Sequence, residues 1–115
     1  MDELGDLAGE PLFDGDTAQP KPATAELAAI VARVLGHVRN DVALTGHVRS
    51  FPDALRESPV WRLSDERAHA IRAMMEAADF PSGRVQRVTA FGDRRNRVSN
   101  PMDPANNRIE LILLR

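Results

Sequence analysis

Three short stretches hold the residues best placed for chemistry. Gly46-His47 ends an apolar run that begins at Asp41. Ser64 and Arg67 open a helical pattern, and Asn106 and Arg108 introduce the last apolar run. A guanidinium offers a planar fork of N–H donors that matches a carboxylate or phosphate. Where a strand runs into a following helix, the strand's C-terminal end and the helix N-terminus share one edge of the layer. His47, Ser64 and Arg67 are therefore expected together, beside backbone N–H groups and a positive helix end. The chemistry this favours is the binding of a carboxylate.

Catalysis is not indicated. No Gly-x-Ser-x-Gly, His-Glu-x-x-His or P-loop spacing occurs. His37 and His69 lie within helical patterns. His47 alone ends a strand, where a single histidine is most often a hydrogen-bonded structural residue. Asp53 and Glu57 have no identifiable partner. The absence of cysteine excludes a thiol nucleophile, a zinc-thiolate site and a disulfide framework. No catalytic residue, metal or cofactor is assigned, and the chain is not read as an enzyme.

The elements that must position these residues alternate. Leu12 falls in a short strand, followed by a turn at Asp14-Gly15-Asp16 and a loop ending at Pro20-Lys21-Pro22. Leu27, Ile30, Val31, Val34, Leu35 and Val38 have helical spacing, with Thr24 as the N-cap, and Asn40 can close this helix. Residues 41–47 read as a buried central strand and 48–59 as a loop. Ser64 is expected to cap a second helix whose stripe is Ala68, Ile71, Met74, Met75 and Ala78 and whose stop is Pro81. Val85–Phe91 and Arg108–Leu114 complete the strands, with a loop over 93–106. The order β-α-β-α-β-β predicts a two-layer α/β sandwich, with both helices on one face of a four-stranded mixed sheet.

Composition sets the remaining bounds. One domain fits in 115 residues, with 43% hydrophobic and 28% charged side chains. Residues 1–7 read as an acidic, flexible N-terminus and 8–115 as the domain. Only five residues are aromatic, so the core must be mostly aliphatic. Net charge is −2, which argues against broad nucleic-acid affinity, and no nucleic-acid partner is expected. Every basic residue but Lys21 is arginine. The cluster Arg94, Arg95 and Arg97 reads as a solvated loop. Trp61 reads as a packing anchor rather than a platform for a sugar. No apolar run reaches the ~20 residues of a membrane span, and no signal peptide is visible. The chain is expected to be soluble as given, or a fragment of a longer membrane-anchored protein.

Together these stretches resemble the OmpA-like peptidoglycan-binding domain, most closely its MotB-type version from flagellar stators. The family's Gly-His-Thr-Asp corresponds to Gly46-His47-Val48-Arg49. Its Asn-Trp-x-Leu-Ser-x-x-Arg-Ala corresponds to Val60-Trp61-Arg62-Leu63-Ser64-Asp65-Glu66-Arg67-Ala68. Its Asn-Arg-Arg-Ile corresponds to Asn106-Asn107-Arg108-Ile109, and Leu12–Ala18 is similar to its first strand and turn. The resemblance implies a periplasmic domain that binds the diaminopimelate of a peptidoglycan stem peptide and anchors a stator to the cell wall. It also implies a homodimer and a membrane-anchored stator partner, joined through a segment absent from this chain. The implied binding residues are Arg67, Arg49, His47, Ser64, Asn106 and Arg108. Arg49 stands where the family has the aspartate that holds the ligand's ammonium. The alternative is an interaction domain that keeps the fold and has lost wall binding.

Overall fold

The structure is a computed structural model that describes residues 2–5, 12–15, 17–50, 60–95, 99–102 and 106–114. Its elements are β1 (Asp2–Gly5), α1 (Pro22–Leu35), β2 (Val42–His47), α2 (Val60–Ala77), β3 (Val85–Ala90) and β4 (Arg108–Leu113), with a 3-10 turn at Ser82–Arg84. The sheet order is β1-β4-β2-β3. β2 runs parallel to β3 and antiparallel to β4, and β1 is antiparallel to β4.

The strand expected near Leu12 does not join the sheet. Phe13 makes a single bridge with Pro20. Three of the expected strands share one sheet, and the place beside β4 is taken by Asp2–Gly5. Its sequence, Asp-Glu-Leu-Gly, has no apolar alternation. The pairing with β4 is held by main-chain groups, which periodicity does not report.

Register sorts the sheet into two faces. Leu44 lies opposite Leu111 and Gly46 opposite Ile109, and these face the helices. Leu44, Ile109 and Leu111 are buried in one cluster with Ala28, Ala32 and Leu35 of α1 and Ala68, Ile71 and Met75 of α2. Both helices therefore cover the same face. On the other face Thr45 lies opposite Glu110 and His47 opposite Arg108.

Helix α1 departs from its sequence pattern in two ways. It starts at Pro22, whose fixed φ and missing N–H suit the first helical position, after an extended Lys21. Thr24 is not the cap: it sits one turn in, where its buried hydroxyl donates to the Leu12 carbonyl. The buried face is Thr24, Ala28, Ala32 and Leu35, whereas Leu27, Ile30, Val34 and Val38 face solvent. The small residues let α1 lie close to its neighbours, and its larger aliphatics other than Leu35 and the partly buried Val31 are left outside.

Helix α2 begins at Val60, four residues before the expected Ser64 cap. Val60 and Leu63 pack with Val48, which supplies an apolar reason for the extra turn. Ser64 is fully buried within the helix, donates to the Trp61 carbonyl and accepts the Gly92 N–H at 3.1 Å. The helix stops before Pro81. Asp79 adopts φ 70°, the Asp79 N–H bonds the Glu76 carbonyl, and the Phe80 N–H bonds the Met75 carbonyl. This is a Schellman closure with aspartate in the position glycine usually takes.

Candidate functional site

The expected edge forms where β2 ends and α2 begins. A Cβ on Gly46 would stand 2.1 Å from the Ser64 carbonyl oxygen, so only glycine lets strand and helix meet this closely. Beyond the strand, the Val48 N–H bonds the Gly92 carbonyl and the Ser50 N–H bonds that of Pro101. Residues 51–59, which hold Asp53 and Glu57, lie outside the described residues, as does Arg97.

A narrow crevice, too tight to admit a water molecule, lies at this edge, lined by Leu12, Phe13, His47, Arg67, Asn107, Arg108 and Ile109. Three of the expected site residues, His47, Arg67 and Arg108, thus meet in one place. Arg67 is 4% exposed. Its guanidinium donates to the carbonyls of Thr17 at 2.9 Å and Gly15 at 3.0 Å and lies over the Phe13 ring at 4.9 Å. It therefore clamps the turn after Phe13 onto α2. The sequence placed Arg67 in the pocket without showing this second task.

Arg49 borders the cleft through its backbone. Its N–H donates to Asn107 Oδ1 at 2.7 Å, and Asn107 lines the cleft. Its side chain is half-buried and reaches the Ser50 carbonyl at 3.4 Å. Asn106 is fully buried and donates to the carbonyls of Asn100 and Pro101, so it shapes the approach to β4 from behind the cleft. Ser64 is likewise a framework residue.

On the sheet face away from the helices, His47 joins a polar network. Its Nε2 is 3.3 Å from Glu110 Oε1 and 3.2 Å from Thr45 Oγ1, and its ring stacks on Phe91 at 5.1 Å. Glu110 accepts from Arg108 Nε at 3.2 Å, and Arg108 Nη1 donates to the Arg95 carbonyl. Both contacts of Nε2 are met by a neutral imidazole carrying its proton there. Among the described residues Nδ1 has no hydrogen-bond partner. Burial lowers the His47 pKa below its ordinary value, and the Arg108 charge lowers it further against the pull of Glu110. Burial raises the Glu110 pKa, but the Arg108 hydrogen bond and the nearby His47 and Arg108 charges outweigh it and leave the carboxyl below its usual range.

Thr45, Glu110 and Asn107 join the site without having been expected as binding residues, although Asn107 and Glu110 belong to the stretch Asn106-Asn107-Arg108-Ile109-Glu110 that the motif covers. Alternation along β4 puts Arg108 and Glu110 on one face, which was visible. Their pairing with Thr45 and His47 depends on antiparallel register, which was not. Trp61 is 45% exposed, with Arg94 over its ring at 5.3 Å, and a Cβ on Gly92 would touch it. Among the described residues no group of three or more His, Cys, Asp or Glu side chains can hold a metal ion. None of the described helices is long and apolar enough to cross a membrane.

The sequence matches the OmpA family over residues 12–110. It is 32% identical to motility protein B of Escherichia coli K12 over 97% of this chain and 37% of that protein. The chain thus spans little more than a third of this relative's length. Among solved structures, the periplasmic domain of Helicobacter pylori MotB superposes with a TM-score of 0.74 at 14% identity, covering 95% of this chain and 77% of that one. The cell wall anchor of the T6SS from Pseudomonas aeruginosa gives a TM-score of 0.66 at 25% identity, covering 87% and 72%. With the strand end, the helix arginine and the Asn-x-Arg-Ile run brought to one edge, and a family match across most of its length, the chain belongs to the OmpA family.

Proposed function

We propose that this domain is a non-catalytic peptidoglycan-binding module that anchors a MotB-like flagellar stator to the cell wall from the periplasm. The ligand is the stem peptide, taken at its diaminopimelate. Its tethered partner is a membrane-anchored stator joined through chain outside these residues, and the module works as a homodimer. The observation that carries this reading is the cleft in which His47, Arg67, Asn107 and Arg108 meet beside the backbone of Arg49. Donors dominate that edge, which suits a carboxylate.

Arg49 weakens the grip. The ammonium of diaminopimelate meets a cation where the family offers an aspartate. Losing that charge-assisted bond costs about 1.5–3 kcal/mol, or one to two decades of affinity.

A second reading, in which the fold is kept and wall binding is lost, is favoured by one observation. The Arg67 guanidinium already serves two backbone carbonyls and is 4% exposed. Co-sedimentation with sacculi containing diaminopimelate decides between them. The anchoring reading requires weak, saturable binding that free stem peptide competes away. Failure of both wild type and Arg49→Asp to sediment supports the second reading.

A further inference from the structure

The outward face of α1 is apolar without serving the core. Leu27, Ile30, Val34 and Val38 are 41%, 50%, 60% and 38% exposed. At about 100° per residue Leu27, Ile30 and Val34 fall within one arc of about 60° on the helix surface, and Val38 follows just beyond the helix end. They account for most of the large hydrophobic side chains that are exposed among the described residues. A contiguous aliphatic stripe of this kind marks an interaction surface rather than ordinary scatter.

The charges beside the stripe identify what covers it. Glu26 and Arg33 are exposed and lie along the stripe's outer edge, two turns apart. Neither makes an ion pair with another described residue. In an antiparallel helix pair related by a two-fold axis, residues on the same edge of each helix face each other. With that axis at Ile30, Leu27 comes level with the partner's Val34 to within one residue, and Glu26 comes level with the partner's Arg33 in the same way. Both apolar knobs and both charge pairs are satisfied twice. A parallel pair would set Glu26 against the opposite edge, where α1 turns Val31 towards its own core.

We propose that the α1 stripe is a self-association surface, in which α1 pairs antiparallel with α1 of a second copy about Ile30, with reciprocal Glu26–Arg33 contacts. This rests on the homodimer proposed above and adds its surface and register. A stripe of three aliphatic side chains per copy, with Val38 beyond the helix end, makes a small interface, so the dimer is concentration-dependent.

Sedimentation velocity of the chain over a concentration series tests it, with circular dichroism confirming that each variant is folded. Ile30→Asp places a charge at the centre of the contact and should raise the dimer dissociation constant at least about tenfold. Val34→Asp, at the most exposed position, gives the same readout if Ile30→Asp disturbs the fold. Glu26→Arg alone and Arg33→Glu alone should each weaken the dimer several-fold, and the two combined in one chain should restore it. A wild-type chain that stays monomeric overturns the inference, as does a dimer indifferent to the stripe variants. A double exchange that fails to restore association overturns the antiparallel register. Sacculus binding of Ile30→Asp is measured separately, so failure of the dimer and failure of wall binding are told apart.

Discussion

The backbone N–H of Arg49 donates to Asn107 Oδ1 at 2.7 Å, tying the segment that leaves β2 to the residue that precedes β4. Position 49 is thereby fixed at the border of the cleft that Asn107 lines. The residue that replaces the family aspartate stands beside the proposed ligand site by main-chain geometry, whatever its side chain does.

Ser64 contributes as an interior acceptor rather than as a cap. Ser64→Ala should lower stability by about 1–2 kcal/mol, because the buried Gly92 N–H loses its partner. Ser64→Asp separates the two roles. Aspartate is an excellent N-cap, so a capping site would tolerate it, whereas this fully buried site should lose more than with alanine. Chemical denaturation midpoints of both variants check the order.

Asp79 holds a positive φ of 70° at the end of α2. Asp79→Gly should stabilise the domain by about 1 kcal/mol, since glycine adopts this conformation without the side-chain penalty. A lower denaturation midpoint would show that the aspartate side chain has another task.

Arg67 fastens the turn after Phe13 to α2. Arg67→Ala should cost about 2–3 kcal/mol through two lost charge-assisted hydrogen bonds. Arg67→Lys keeps the charge but not the fork and should recover only part of it. Equal midpoints for wild type and Arg67→Ala would remove this structural role and leave Arg67 to the ligand alone.

His47 and Glu110 make stability depend on pH in one direction. The pKa of His47 lies below its ordinary 6.5 in the folded state, so the unfolded chain binds more protons as pH falls through 6.5. Its contribution is complete above 6.5 and is lost towards its lowered folded value. The Glu110 contribution is complete above its ordinary 4.5 and is lost as pH falls towards its own lowered folded value. Thermal midpoints should therefore drop on acidification. His47→Asn should flatten the step just below 6.5 and only diminish the one below 4.5, which the Arg108 hydrogen bond and charge still sustain. An unchanged upper step would assign it to another group.

Much of this was legible in the sequence. The 42–47, 85–90 and 108–113 strands and both helices follow from apolar spacing and from Pro81. The meeting of His47, Arg67 and Arg108 follows from strand-to-helix connection geometry and family motifs. What stayed hidden depends on partners distant in the chain. Nothing local tells Thr24 to bond the Leu12 carbonyl, or Ser64 to accept from Gly92. The apolar pattern of α1 spans both its buried and its exposed faces, so periodicity finds the helix without telling which of its apolar residues are buried. β1 has no apolar signature because main-chain pairing holds it.

The central claim is that Arg49 sits at the ligand's edge and weakens wall binding. It is tested most directly by the fraction of protein that co-sediments with diaminopimelate-containing sacculi, wild type beside Arg49→Asp, at fixed salt. Thermal midpoints of the two proteins are measured alongside, so a change in folding is told apart from a change in binding. The account predicts that Arg49→Asp binds roughly one to two decades more tightly than wild type. Wild-type binding as strong as that of Arg49→Asp would contradict it, because position 49 would then lie outside the reach of the ligand.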